Sequence, residues 1–353
     1  MAAHLGALAE ARPGGPDSMG IEIAEGPDAA IATIRAVDAL QSQIAPVLGG
    51  KGRIVLVGTG ASLAVARTVA PIWRRVGGQN IPVLVRQATE IALGNLDGWQ
   101  LERTDVVVAI SQSGASPETV AAARLAEALG ASVLALTAYP DSALASAATL
   151  TVPQASGAEE GAATKSALAS LAGVLAIAAA VGSADELAND LRHHLDVVSA
   201  WREATLTAPR LAGARHTWIL GFGTAQGLAA AAALLWHEKV IRPATAATPS
   251  EFRHGLIEGV DSKDAVMLIT AAEDPLAEGG VARYLDRLRG ELRELGVDTI
   301  ELRAAAGEPG PAAIELLFSL QHLARATALA MGTYRDEFAI LRRVVKPAND
   351  LTG

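Results

Sequence analysis

Short, continuous apolar runs alternate along the chain with longer segments of helical spacing. Apolar positions Ile31, Ile34, Val37, Leu40 and Ile44 recur at three- and four-residue steps and predict a helix over 27–48. RIVLVG then reads as a buried strand ending at Gly58, followed by a helix in ASLAVARTVAPIWRRVG. IPVLVRQ and DVVVAIS predict two more strands, ETVAAARLAEALG a helix closed by Gly130, and SVLALTA a fourth strand. ALASLAGVLAIAAAV and ELANDLRHHLDVVSAWREA predict two long helices. Beyond them the pattern starts again, with strand HTWILGFG, helix TAQGLAAAAALLWHEKVI, strand DAVMLIT, helix VARYLDRLRGELRELG and strand VDTIELRA. Strands that lack polar alternation and are separated by helices belong to parallel sheets covered on both faces. IVLVGTGASLAVA and WILGFGTAQGLAAAA occupy equivalent places about 165 residues apart. The expected fold class is therefore α/β, with two doubly wound parallel-sheet units in tandem. The pattern divides the chain into a first domain over 19–200 and a second over 201–353, after an Ala-, Gly- and Pro-rich extension at 1–18 that is expected to be disordered.

Composition narrows the chemistry. Half of the 353 residues are hydrophobic but only 3% are aromatic, so Ala, Val, Leu and Ile must build the core. A net charge of -9 with no basic run argues against a nucleic-acid partner. The absence of cysteine removes disulfides, thiolate metal sites and cysteine nucleophiles, and fits a cytoplasmic location. The first eighteen residues have neither a basic start nor a sustained apolar stretch, so they do not read as a secretory signal. SALASLAGVLAIAAAVGS is rich in Ala, Gly and Ser with no positive bias in its flanks. It reads as a buried helix rather than a membrane span.

Two strand-to-helix turns carry candidate chemistry. In a doubly wound sheet, ligands sit beyond the carboxyl ends of the strands, where helix N-termini favour phosphate. In VGTGASLA, Gly58 and Gly60 would let the backbone approach a ligand while Thr59 and Ser62 cap the helix; an ordinary capped turn explains this stretch equally well. In SQSGASPET, capping accounts for Ser116 as N-cap and Pro117 at the first helical position. It does not account for Ser111, Gln112 and Ser113, which precede the cap and suit the oxygens of a phosphate.

VGTGASLAVA, SQSGASPETV and AATKS, in that order, resemble the sugar isomerase (SIS) domain, a phosphosugar-binding, flavodoxin-like α/β unit. From about Met19 the chain is similar to the tandem-SIS isomerase half of glutamine–fructose-6-phosphate aminotransferase and to related aminosugar-phosphate deaminases and deglycases. MGIEIAEGP matches the opening of that half. The resemblance implies that Thr59, Ser111, Gln112, Ser113 and Ser116 bind the sugar phosphate. Ser62 would stand in for a family hydroxyl where this chain has Gly60, and Gly58 and Lys165 rank behind these residues. ALLWHEKVIRPATAATPSEFRHG resembles the catalytic stretch of the second half. Glu238 matches the glutamate that moves a proton between sugar carbons 1 and 2. His254 matches the histidine of ring opening, which in family dimers reaches the neighbouring subunit. No metal and no organic cofactor are implied, and the implied partners are a phosphorylated sugar or aminosugar and a second copy of the chain.

The chemistry is coherent with those residue types. Moving a proton from one carbon to the next needs a base such as a carboxylate in a semi-buried site, and ring opening needs a group that titrates near neutrality. Taken singly, Glu238 also reads as a solvent-exposed helix residue beside Lys239, and His254 as a loop histidine. The chain departs from the family at Ala231, Leu235 and Leu256. It departs again in the tail, where Arg343, preceded by Arg342 and followed by Lys346, occupies the place of an imine-forming lysine. A guanidinium cannot form that imine, though it can hold a phosphate or carboxylate. No glutaminase domain is expected before Met19. The implied activity is phosphosugar aldose–ketose isomerisation or deamination of a 6-phosphorylated aminosugar. The alternatives are a deglycase of the fructosamine-6-phosphate type and a non-catalytic phosphosugar sensor.

Overall fold

The computed structural model describes residues 17–49, 52–76, 81–94, 98–178, 184–271, 280–338 and 340. The chain divides into two compact units that interleave in sequence. One comprises 25–188 with the residues from Glu337 on; the other comprises residues up to Ala24 with Asn189–Asp336.

The first unit begins within α1 (Ser18–Ala39), whose opening residues up to Ala24 belong to the second unit. Helix α1 starts nine residues before the expected position and runs through Pro27, because Met19 and Ile23 before the proline are already core residues. The helix does not reach Leu48 unbroken: Leu40 (φ -104°, ψ 5°) separates it from α2 (Gln41–Leu48). There follow β1 (Ile54–Gly58), α3 (Ala61–Val76), β2 (Val83–Gln87), α4 (Ala88–Ala92), β3 (Val106–Ile110), α5 (Pro117–Ala128), β4 (Ser132–Thr137), β5 (Leu150–Pro153) and α6 (Lys165–Ile177). The five strands form a wholly parallel sheet in the order β2-β1-β3-β4-β5. β1 and β3 are buried at every position, which is why they read as unbroken apolar runs. Val55, Val57, Val107, Ala109, Val133 and Ala135 pack on one face against Ala88 and Ile91 of α4 and Val120, Ala122, Ala123 and Ala126 of α5. Helix α5 ends as expected at Gly130, whose N–H bonds the Glu127 carbonyl while Ala131 N–H bonds that of Ala126.

The second unit follows through α7 (Ala184–His194), α8 (Val197–Ala212), β6 (Thr217–Gly221), α9 (Thr224–Leu235), β7 (Ala244–Ala247), α10 (Pro249–Arg253), β8 (Ala265–Thr270), α11 (Ala282–Glu294), β9 (Asp298–Arg303) and α12 (Pro309–Ala330). The single long helix expected across Asp196 is two, because the Asp196 carboxylate accepts the N–H groups of Val198 and Ser199 and caps a new start. The four strands are parallel in the order β7-β6-β8-β9. Leu220, Val266 and Leu268 pack against Phe252 of α10 and Leu288 and Leu292 of α11.

The two sheets share a construction that reaches individual side chains. Just before β1, Arg53 grips the buried Asp105 just before β3 in a two-pronged bond (2.8 and 2.7 Å). Just before β6, Arg215 grips the buried Asp264 just before β8 in the same way (3.1 and 3.0 Å). At the other ends of these strands, a Cβ on Gly58 would lie 2.8 Å from Ser62 Cβ, and one on Gly221 would lie 2.5 Å from the Ala225 carbonyl oxygen. Each glycine therefore lets its strand end against the first turn of the following helix. This explains Gly58 without a ligand.

Candidate functional site

The strand order sets two of the polar turns side by side. β1 pairs with both β2 and β3, so the chain direction across the sheet reverses between β1 and β3. The crevice beyond that reversal is where open α/β sheets bind ligands. It is bordered by the turn after β1, with Thr59 and Gly60 exposed and Ser62 half-buried, and by the turn after β3.

The serine-rich turn assigns its hydroxyls unequally. Ser116 is the N-cap of α5 and Pro117 opens the helix, yet the Ser116 hydroxyl makes no capping bond. It lies instead 3.2 Å from the hydroxyl of Ser111, which is buried. The Gln112 amide donates to the Gly157 carbonyl at 2.8 Å and holds the loop before α6. Ser113 accepts the Ala115 N–H at 3.2 Å within its own turn. The resemblance assigns Ser111, Gln112, Ser113 and Ser116 together to the phosphate, with Ser116 also the expected cap. The Ser116 side chain is turned away from the helix it begins. Gln112 and Ser113 carry turn and loop geometry, and the Ser111–Ser116 pair faces a helix start with no side-chain cap.

The loop from Gln154 to Thr164 is fixed from its other end as well. The Glu159 carboxylate accepts the N–H groups of Thr164 and Ser166 and both of their hydroxyls. Lys165 donates to Glu25 at 2.6 Å and is 10% exposed, so its ammonium ties α6 to α1. One residue near the serine-rich turn was not singled out in the sequence. Tyr139 follows β4 and is 42% exposed. Its backbone is anchored through Thr137, whose hydroxyl donates to the Gln112 carbonyl at 3.1 Å. A lone aromatic just past a strand end, in a chain so poor in aromatics, was the available clue.

Glu238 and His254 lie in the second unit. The last turn of α9 widens into a π-helical turn over Trp236–Val240, and the chain leaves it through Ile241 in the left-handed region (φ 56°, ψ 47°). A β-branched residue there is strained, and wide turns and strain both gather at functional sites. Glu238 is half-buried in this turn; Lys239 beside it is 1% exposed. His254 is exposed at the end of α10, with its N–H bonded to the carbonyls of Ser250 and Glu251. The turn that leads to it is set by a capping box. Glu251 receives the N–H and hydroxyl of Thr248 (both 2.9 Å), bonds that hold its carboxyl below the usual range, and returns its own N–H to that hydroxyl (3.1 Å). Arg342, Arg343 and Lys346 lie outside the described residues. Among the described residues, no three His, Asp or Glu side chains cluster closely enough to hold a metal, and no helix is long and apolar enough to cross a membrane.

Comparison with known proteins places the first sheet in a family. Residues 48–180 match the model of the SIS domain. Over 284 residues the chain is 32% identical to glutamine–fructose-6-phosphate aminotransferase (isomerizing) of Aeropyrum pernix, covering 75% of this chain and 45% of that protein. Over 113 residues it is 33% identical to arabinose 5-phosphate isomerase of Pseudomonas aeruginosa, covering 32% of this chain and 33% of that protein. The chain spans less than half the length of the curated relatives it matches. Among solved structures, it is similar to the C-terminal domain of glucosamine-fructose-6-phosphate aminotransferase from Francisella tularensis (TM-score 0.78, 22% identity, 92% of this chain and 99% of that one). The tagatose-6-phosphate ketose/aldose isomerase of Escherichia coli gives TM-score 0.78 at 22% identity, over 91% of this chain and 94% of that one. Glucosamine-6-phosphate deaminase from Thermotoga maritima gives 0.72 at 19%, over 92% and 98%. At such identities the likeness is one of fold.

Proposed function

With residues 48–180 a SIS domain, we propose that the protein is an enzyme of phosphosugar chemistry, an isomerase or deaminase acting on a 6-phosphorylated aminosugar. The observation that carries the proposal is the Ser111–Ser116 hydroxyl pair, turned away from the capping role that sequence alone would give Ser116. Two hydroxyls and an uncapped helix start, beside the turn after β1, suit the oxygens of a phosphate. Ser111, Ser116, Thr59 and Ser62 would bind it, with Gln112 and Ser113 shaping the rim.

Glu238 is the proposed base. In its carboxylate form it takes the proton from C2 of the open-chain aldosamine; the electrons of that C–H bond form the C1–C2 double bond of an enolamine, and the C1 carbonyl oxygen takes up a proton to become its hydroxyl. Return of the proton at C1 gives a ketimine at C2. Addition of water there and loss of ammonia leave the ketose 6-phosphate. His254 is the proposed acid–base group of ring opening. Its exposure suits a role toward the site of a second copy in a homodimer. Arg343 and Lys346 are proposed to hold anionic groups of the substrate rather than to form an imine.

The test is turnover of glucosamine 6-phosphate and fructose 6-phosphate by the wild type and two variants. Glu238→Gln should lower kcat by about 10²–10⁴-fold, the range of general acid–base catalysis. Ser116→Asp should abolish phosphosugar binding by charge repulsion while leaving the fold at least as stable, since Asp is a better N-cap in this setting. Full turnover by Glu238→Gln would remove that residue from the mechanism. Undiminished binding by Ser116→Asp would move the phosphate elsewhere.

A further inference from the structure

The turn that carries Glu238 is stitched to one stretch of chain distant in sequence, which a second stretch holds in turn. Lys239 donates from its buried ammonium to the carbonyls of Arg335 (2.9 Å) and Asp336 (2.8 Å). One residue further, the Val240 carbonyl accepts the Thr333 hydroxyl at 2.8 Å. The segment 333–336 is itself held from below. The Tyr334 hydroxyl donates to the Asp336 carboxylate at 2.9 Å and accepts the Met19 N–H at 3.2 Å. The Ser18 N–H and hydroxyl both reach the same Asp336 oxygen at 2.9 Å.

An apolar residue would pack this position at less cost than a buried ammonium. Burial lowers the Lys239 pKa, against the pull of the carboxylates of Asp336, Glu238, Glu22 and Asp17. Directly after this lysine, Val240 and Ile241 complete a wide turn with a left-handed exit, a geometry that persists only where the surroundings over-determine it. A carboxylate that relays a proton between adjacent carbons must be held to within a fraction of an ångström, and a misplacement of about 1 Å can cost about 10²-fold in rate. The strap supplies that constraint on the one turn where the isomerase reading needs it.

We propose that Lys239 is a positioning residue: with the strap 333–336 it holds the widened turn so that Glu238 is aimed for proton transfer. The inference rests on the isomerase reading above. Lys239 has no role of its own toward substrate, and its removal acts through the orientation of Glu238 alone.

The test compares the full-length wild type with Lys239→Met, Tyr334→Phe and Glu238→Gln on glucosamine 6-phosphate and fructose 6-phosphate. Lys239→Met should lower kcat by about 10- to 100-fold with KM within about twofold, because the phosphate is bound by other residues. Tyr334→Phe, which removes the strap's hydroxyl bonds but keeps the ring 5.8 Å from the Lys239 ammonium, should lower kcat by about threefold or more, again at unchanged KM. If Lys239→Met does not fold, Tyr334→Phe and Thr333→Val carry the same test. Strap variants that keep full kcat while Glu238→Gln is inactive overturn this inference and leave the isomerase reading standing. A parallel loss of kcat and rise of KM also overturns it, since that reports general loosening. Full activity of Glu238→Gln, or no turnover by the wild type, overturns the isomerase reading and the inference with it.

Discussion

Acidification from pH 7 to pH 5 should weaken the second unit through one side chain, His322. It lies on α12 and is 1% exposed, with its ring against Phe318 (4.7 Å between centroids) and Trp201 (6.2 Å). Among the described residues neither ring nitrogen meets a hydrogen-bond partner. Burial pushes the imidazole down to about 3 from its ordinary 6.5, and the positive charge of Arg325 pushes the same way. The unfolded chain therefore takes up a proton below pH 6.5 that the folded chain refuses until about pH 3. Stability contributed by the neutral ring is complete above about 6.5 and is lost as pH falls through that window, by about 1.4 kcal/mol per unit at full slope. Between pH 7 and 5 the loss comes to about 2 kcal/mol. Urea unfolding followed by tryptophan fluorescence at the two pH values would measure it, with His322→Leu as the non-titrating reference of similar size. The wild type should lose about 2 kcal/mol more than the variant. Parallel losses, within about 0.5 kcal/mol, would mean that the ring is hydrated or partnered in the fold, and the reasoning would fail.

Two further outcomes follow from backbone and packing. At Ile241 the left-handed backbone costs any L-residue about 1–2 kcal/mol, so Ile241→Gly should be more stable than Ile241→Ala by about 1 kcal/mol, the reverse of the usual order. Chemical denaturation of the two variants decides it, and an alanine variant that proves the more stable removes the strain from the account of the Glu238 turn. At Gly20 an added Cβ would lie 2.6 Å from Asp17 Oδ2 and 2.7 Å from Arg325 Nε. Gly20→Ala should therefore force apart a fully buried ion pair and lower stability by about 3 kcal/mol, visible in a thermal melt. An unchanged melting temperature would show that the pair accommodates a methyl group.

Much of the fold was legible because the sheets are buried on both faces. β1, β3, β6 and β8 appear in the sequence as apolar runs for that reason. β7 reads ATAA, and alanines carry no strand signal; its pairing with β6 creates it. β5 is short and ends in Pro153, as suits an edge. Helix α12 is buried nearly all round and so has no polar face to mark its period. The start of α1 was hidden by Pro27, which usually marks a beginning. At the candidate site the residue types were readable and their partners were not. That Ser116 turns toward Ser111 is a rotamer choice, and Lys239 meets carbonyls about a hundred residues away. Neither leaves a trace in local spacing.

The bonds that join Asp17 to Arg325 and Ser18 to Asp336 close loops of more than 300 residues. Residues 25–188 supply most of the first unit, whereas Met19 and Ile23 belong to the second, whose chain extends to Asp336. At about 5–20 residues per second, the intervening stretch takes on the order of 10–30 s to make. Through that interval the apolar start of α1 lacks the residues that make up the rest of its unit. The second unit is thus complete in sequence only when Asp336 has been made, and a ribosome that stalls before it leaves a nascent chain without the partners of Asp17 or Ser18 in place.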